Sequence, residues 1–290
     1  MTELKAFYQP RSLSEALALL EEHGDRARPL AGGTALTQSR PPRVEVLVDL
    51  GRLELDRIED RGGALGVGAM VTCAGLRRYL RGRAPTMISD AAAAVGSRIL
   101  QNQVTVGGNC VMVYAWSDLP VVLRCAGARF LVHGHKPREL SAETFFGEHP
   151  SRVLGTGELL TAIIIPAAPP GTGSAYLKLG RNATDHGLAS AAAQVTLERG
   201  QVIEARLAAG AVRGIPQLLS AVTLQGQLPT DSCLEETARL AAAEAKVTGD
   251  YRASAEYRRE LLSTLLQDAL VLALERARSR DATQPAGGLP

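Results

Sequence analysis

The stretch "RPLAGGTALTQ", Arg28 to Gln38, sets two adjacent glycines and a threonine between a short apolar run and a helical one. So bare a backbone at a strand-to-helix turn serves positive φ, or the close approach of a bulky group to the main chain. A second stretch, "VTVGGNC" from Val104 to Cys110, repeats the design further along. Either glycine pair alone is an ordinary tight turn. Together, with Thr34 and Asn109 each following a pair, they are what a diphosphate gripped from two sides requires. Such a grip needs N–H groups unobstructed by Cβ, helix N-termini whose dipoles attract anions, and small polar side chains for phosphate oxygens. Neither stretch has the GKS/T ending of a phosphate loop or the GxGxxG of a Rossmann turn, so a different nucleotide-binding fold is expected.

Working outward, "SLSEALALLEEHGD" places Leu13, Ala16, Leu17 and Leu20 at a helical period, with Ser12 or Ser14 as N-cap and Gly24 as stop. A short strand ending near Ala31, the glycine turn, a helical turn and the strand "VEVLVDL" (Val44 to Leu50) complete a small α/β unit. Past a polar turn at Asp60 to Gly63, "ALGVGAMVT" reads as a strand, "CAGLRRYLRG" as a helix, and "TMISDAAAAVGSRIL" as a second helix leading to the turn "TVGGN". "LPVVLRCAGARFLVHG" is a helix running into a strand, and "ELLTAIIIP" a β-branched strand closed by Pro166. "PAAPPGTG", Pro166 to Gly173, is the best linker. Beyond it, strands flank a turn near Arg199 and Gly200, and long helices follow over Asp231 to Ala245 and Ser254 to Ala277. The tail is expected to be disordered.

The 290 residues are 46% hydrophobic and 21% charged with a net charge of +2, an ordinary soluble balance that excludes a general polyanion binder. Cys73, Cys110, Cys125 and Cys233 contain no CxxC pair, so neither zinc nor a cysteine-ligated cluster is indicated, and buried free thiols are expected. The start, "MTELKAFYQP", lacks a leader pattern, and no apolar run is long enough to span a membrane; the default location is the cytoplasm. His133 and His135, two apart on a strand, read as a solvated turn rather than metal ligands. Glu158, Asp185 and His186 read as surface or capping groups, and no nucleophile–base arrangement favours hydrolysis.

In order and spacing, "RPLAGGT", "GVGAMVT" (Gly66 to Thr72), "TVGGN", "SDLP" (Ser117 to Pro120), "GELLTAIIIP" (Gly157 to Pro166) and "YLKLGR" (Tyr176 to Arg181) resemble the FAD-binding subunit of molybdenum hydroxylases, the xanthine dehydrogenase and carbon monoxide dehydrogenase family. "EYRRELLSTLLQDAL" resembles that family's closing helix, so nearly the whole chain is covered. The resemblance implies an α+β fold: a two-subdomain FAD-binding domain of the vanillyl-alcohol-oxidase-like type over 1–168, divided at about 55/56, then a smaller α+β C-terminal domain over 174–280 and a tail over 281–290. It implies a first pyrophosphate loop of Arg28, Pro29, Leu30, Ala31, Gly32, Gly33, Thr34 and Ala35, and a second including Thr105, Gly108 and Asn109. Asp118 would hold the adenosine ribose, a task suited to an acceptor-only carboxylate, while Val95, Gly96 and Leu160 would lie near the flavin. Lys178 would stand by the ring's electron-accepting edge, where an ammonium favours the anionic reduced form. The chain departs from the family at Ala35, Gln101, Met112 and Trp116, departures that FAD binding survives if backbone amides dominate the phosphate contacts.

No ferredoxin-type cysteine pattern or molybdopterin-binding domain is evident. The resemblance therefore implies a small 2Fe–2S partner and a large molybdopterin-binding partner, assembled as a dimer of heterotrimers. Electrons would pass from iron–sulfur clusters to FAD and on to NAD, a quinone or another acceptor. A self-contained FAD oxidase or reductase would need a substrate cap, for which the C-terminal part is small and alanine-rich. A flavin-free structural subunit finds encouragement only in Ala35.

Overall fold

The computed structural model describes residues 4–39, 43–83 and 86–281. The tail, beyond Asp281, lies outside the described residues. The chain divides into two compact units with interleaved segments: the first holds 1–79, 97–113 and 127–166, the second 80–96, 114–126 and 167–290.

In the first unit, β1 (Ala6–Tyr8), β2 (Ala27–Leu30) and β3 (Val46–Asp49) form a parallel sheet in the order β1-β3-β2. Helix Leu13–His23 buries Ala16 and Leu20 against Val46 and Val48. Ser12 caps it by accepting from the Glu15 N–H, and Gly24 ends it at φ 53°, as its sequence predicts. The three-residue β1 is an addition, too short to show alternation.

The second sheet holds β4 (Ile58–Arg61), β5 (Ala64–Gly68), β6 (Arg129–His133), β7 (Arg138–Ser141) and β8 (Leu159–Ile165), in the order β4-β5-β8-β6-β7 with antiparallel pairing throughout. The polar turn predicted over Asp60 to Gly63 is tighter: Asp60 and Arg61 are in β4, and only Gly62 and Gly63 turn, both at positive φ. Phe130 stacks on Phe145 at 4.1 Å, and Phe146 meets both edge-on.

In the second unit, β9 (Thr172–Leu179), β10 (Ala189–Glu198), β11 (Gln201–Gly210) and β12 (Gln217–Leu219) form an antiparallel meander. Arg199 and Gly200, at φ 51° and 81°, make the tight β10–β11 hairpin. Helices Asp231–Glu244 and Ala255–Asp281 cover one face, joining Leu234, Leu262, Leu266 and Leu270 to Ala191, Ala193 and Val195. Helices Thr86–Ala94 and Leu119–Cys125 cover the other, where Thr86 Oγ1 donates to the Ser174 carbonyl and a Cβ on Gly210 would strike Val121. Cover on both faces explains the alanine run: small residues let helices approach closely. Gly173 marks the tightest point, since a Cβ there would overlap the Ala273 carbonyl.

Three expectations need correction. The helix predicted across "TMISDAAAAVGSRIL" is two, Thr86–Ala94 and Arg98–Gln101, broken at Gly96 (φ 40°) with Ser97 capping the second. The linker's last residues, Thr172 and Gly173, already belong to β9. "TVGGN" is not a loop: Thr105 caps a helix over Val106–Val111, and neither of its glycines has positive φ. Among the described residues no helix is long and apolar enough to cross a membrane.

Candidate functional site

In the first unit, β2 ends at Leu30, Gly33 turns the chain at φ 72°, and helix Thr34–Ser39 begins. Thr37 Oγ1 donates back to the Gly33 and Thr34 carbonyls, at 3.2 and 3.1 Å, steadying that short helix. Gly32 touches the second stretch directly: a Cβ there would overlap the Gln103 carbonyl oxygen, so only glycine lets the two strings of backbone meet.

The second stretch is pinned by main-chain bonds. The Cys73 N–H donates to Val104 (2.9 Å), Val106 to Val71 (2.8 Å) and Gly107 to Ala69 (2.9 Å), while Thr72 and Thr105 form a bridge. A Cβ on Gly107 would lie 2.6 Å from that of Ala69. The glycine therefore serves close approach, not turn geometry. Thr105 Oγ1 accepts from the Gly108 N–H at 3.0 Å.

Between the stretches lies a cavity of about 590 Å³ walled by Ala31, Gly32, Gly33, Thr34 and Thr37, by Met70 and Thr72, and by Leu100, Asn102, Gln103 and Thr105. Four threonine hydroxyls and two amides line it, and none of its lining side chains is ionised. Neutral dipoles at glycine-bared backbone suit an anion, because no carboxylate repels it. Beyond Met70 and Thr72 a second cavity of about 490 Å³ opens, lined also by Asp56, Ile58, Arg78 and Tyr79.

Of the residues singled out by sequence, Ala31, Gly32, Gly33, Thr34 and Thr105 line this cavity. Arg28, Pro29 and Leu30 are in β2, with Arg28 Nη1 donating to the Asp25 and Ala27 carbonyls at 3.1 and 2.7 Å. Ala35 is in the first helix, Gly108 and Asn109 in the second. Leu160 is buried in β8, opposite Val132. Sequence reasoning missed Thr37, Met70, Thr72, Leu100, Asn102 and Gln103 as lining residues; the run "GVGAMVT" holds two of them, but its place depends on the Thr72–Thr105 bridge.

Val95, Gly96, Asp118 and Lys178 belong to the second unit. Asp118 stands at the N-cap of Leu119–Cys125 without a side-chain cap bond. Its carboxylate instead accepts from Tyr176 Oη at 2.6 Å and from Lys178 Nζ at 3.1–3.2 Å, and Lys178 Nζ also donates to the Ala94 carbonyl. Burial pushes the Asp118 carboxyl upward, opposed by the Lys178 charge, and burial with the Asp118 charge holds the Tyr176 phenol well above its usual range. Nearby, Trp116 stacks between Tyr114 (5.2 Å) and His186 (4.2 Å), with the Arg252 guanidinium 5.5 Å from its ring centre. Burial, then the Arg252 charge, lowers the His186 pKa.

His133 and His135 take separate partners, Thr161 and Glu21, and no group of three or more metal-ligating side chains occurs among the described residues.

A neutral trough between two glycine-bared stretches of backbone is chemistry suited to an anionic group. The chain matches the family described as FAD binding domain in molybdopterin dehydrogenase over residues 2–168, and the CO dehydrogenase flavoprotein C-terminal domain over 174–273. It is 31% identical to the carbon monoxide dehydrogenase medium chain of Afipia carboxidovorans, over 94% of this chain and 98% of that one. To the caffeine dehydrogenase subunit beta of Pseudomonas sp. (strain CBB1) it is 30% identical, over 93% and 95%. A crystal structure of the Cu,Mo-CO dehydrogenase matches with a TM-score of 0.89 at 30% identity, covering 95% of this chain and 99% of that one. The chain thus belongs to the FAD-binding flavoprotein family of the molybdenum hydroxylases, with FAD as its cofactor.

Proposed function

We propose that the chain is the FAD-carrying electron-transfer subunit of a multisubunit molybdenum hydroxylase, working with a small 2Fe–2S chain and a large molybdopterin-binding chain as a dimer of heterotrimers. The observation that carries this reading is the contact of Gly32 with Gln103 at the edge of a cavity with no ionised side chain in its lining. The relatives' names, medium chain and subunit beta, support a chain that works beside others.

The residues present fit the cofactor's diphosphate: glycine-bared backbone, four hydroxyls and two amides. Bound FAD accepts electrons singly or in pairs and so joins one-electron carriers to a two-electron acceptor such as NAD or a quinone. Thr34 and the main chain around Gly33 hold phosphate oxygens on one side, and the Thr105 region on the other. Thr105 also keeps its own helix start in place through the Gly108 N–H. Asp118 is assigned to the ribose, Lys178 to the polar edge of the flavin, and Val95, Gly96 and Leu160 to the ring's surroundings, in keeping with the sequence resemblance. We assign residues 1–168 to the FAD-binding domain, with subdomains 1–55 and 56–168, and 174–280 to the C-terminal domain.

Purification of the full chain with its partner chains tests the reading. Flavin absorbance, iron and molybdenum in a single complex, with flavin bleaching when the organic substrate is added, is the expected result. A flavin that bleaches fully with substrate in the isolated chain establishes the self-contained oxidoreductase instead.

A further inference from the structure

Tyr176 and Lys178 are two apart on β9 and so share a face of the sheet, the one against which helices Thr86–Ala94 and Leu119–Cys125 pack. Ser190 on β10 lies opposite Lys178 in the register and joins them on that face. Buried polar groups need partners, and these three form a relay. Ser190 hydrogen-bonds the Tyr176 hydroxyl, Tyr176 Oη donates to Asp118 Oδ1 at 2.6 Å, and Lys178 Nζ meets Oδ1 and Oδ2 at 3.1 and 3.2 Å.

The relay ends on a side chain diverted from its local task. Asp118 holds the N-cap position of Leu119–Cys125, where an aspartate ordinarily accepts from N–H groups of the first turn, yet it makes no cap bond. Tyr176 and Lys178 draw it away from its own helix instead. A carboxylate has roughly four acceptor positions, and Tyr176 and Lys178 take two on Oδ1 and one on Oδ2. These bonds leave a position on Oδ2, on a side chain that keeps 6% of its surface exposed. Burial and the Asp118 charge hold the phenol proton in place, so Tyr176 remains a donor at neutral pH.

We propose that Tyr176 is a positioning residue for the adenosine ribose of FAD: it keeps Asp118 off the helix and turned so that the remaining position on Oδ2 accepts from a ribose hydroxyl. This rests on the assignment of Asp118 to the ribose in the function proposed above. Lys178 balances the charge, but an ammonium on a flexible stem fixes direction poorly, whereas a phenol with two torsions fixes it well. Without the Tyr176 hydroxyl, Asp118 is free to turn back and cap Leu119–Cys125, in competition with the ribose.

The test measures dissociation constants of the full chain, freed of flavin, for FAD and for its 2′-deoxyadenosine and 3′-deoxyadenosine forms, in wild type and Tyr176→Phe. Wild type should bind FAD more tightly than at least one deoxy form by roughly ten-fold to a hundred-fold, the range for a hydrogen bond to a charged acceptor. Tyr176→Phe should bind FAD about ten-fold more weakly and distinguish the three ligands by no more than about two-fold, the coupling expected of groups acting on one contact. Equal weakening for all three ligands, with the wild-type ratios kept, makes Tyr176 a core residue only and overturns the proposal, as does unchanged affinity. A wild type that binds all three alike removes Asp118 from the ribose and the proposal with it, while its FAD binding leaves the flavoprotein reading intact. Should Tyr176→Phe fail to fold, Ser190→Ala decides, since it loosens the same hydroxyl from behind: a smaller ratio than wild type supports the relay and an unchanged ratio overturns it.

Discussion

Lys178 Nζ lies 3.1 Å from Asp118 Oδ1, with both side chains nearly removed from solvent. Each therefore depends on the other, since an isolated charge in such surroundings loses its hydration without compensation. Lys178→Met should destabilise the chain by about 3–5 kcal/mol at neutral pH, as found when one partner of a buried pair is removed. Without the ammonium, burial keeps the folded-state pKa of Asp118 above its unfolded value of about 3.9. The folded chain then binds the proton more tightly, so stability falls as pH rises from the unfolded value to the folded one and levels off above it. Melting temperatures from about pH 4 to pH 7 should show a deficit against wild type that grows with pH; a constant deficit contradicts the pairing.

Asp250 behaves oppositely. It joins Arg252 and Arg258, the latter 2% exposed, with 2.7 Å between Arg258 Nη2 and Asp250 Oδ1. The hydrogen bond from Arg252 leads in holding its pKa well below the ordinary range. This stabilisation is present above the unfolded pKa of about 3.9 and is lost as pH falls through the depressed folded value. Asp250→Asn should cost about 1 kcal/mol at neutral pH, since the exposure of the carboxylate discounts a charged hydrogen bond toward the value of a surface pair. Its melting temperature should converge with that of wild type in strong acid.

Gly33 and Gly108 should fail for different reasons. Gly33 is at φ 72°, where a β-branched residue is strained by about 1–2 kcal/mol. A Cβ on Gly108 would sit 2.7 Å from Thr105 Oγ1 and displace the cap. Gly33→Val and Gly108→Val should each lose FAD absorbance. Thr105→Val, which removes only the cap, should lower stability by about 1 kcal/mol and weaken FAD retention less than either.

Thiol accessibility offers an independent check. Cys73, Cys110 and Cys125 are buried, and burial pushes the Cys125 thiol up to about 12 and that of Cys110 higher still. Cys233 alone among the four is partly exposed. Iodoacetamide should label about one thiol per native chain, at Cys233, since the thiolate is the reacting form. All four should react in guanidinium.

Where local chemistry decided the outcome, the sequence was legible. Helix Leu13–His23 carried its cap, its period and its glycine stop, and the β10–β11 hairpin carried Arg199-Gly200. The helix at Val106 was hidden because Gly107 and Gly108 imitate a turn, whereas Gly107 is there to pass Ala69, a residue far away in sequence. The cavity's first wall was apparent from its glycine pair; Met70, Asn102 and Gln103 were not, because only the Thr72–Thr105 bridge brings them round it. No local pattern announces that Asp118 and Lys178 meet, and Asp118 shows the composition of a helix cap without acting as one.

The interleaving of the two units has a consequence for the nascent chain. Met87, Ile88, Val122 and Leu123, all at most 1% exposed in the finished protein, leave the ribosome before the sheet that begins at Thr172 has been made. During that interval they are sticky surface in need of a chaperone. The second unit is completed only by the final helix, Ala255–Asp281. A premature stop near residue 250 would thus expose oily patches synthesised long before it, sending the fragment to proteolysis instead of leaving a shortened but serviceable flavoprotein.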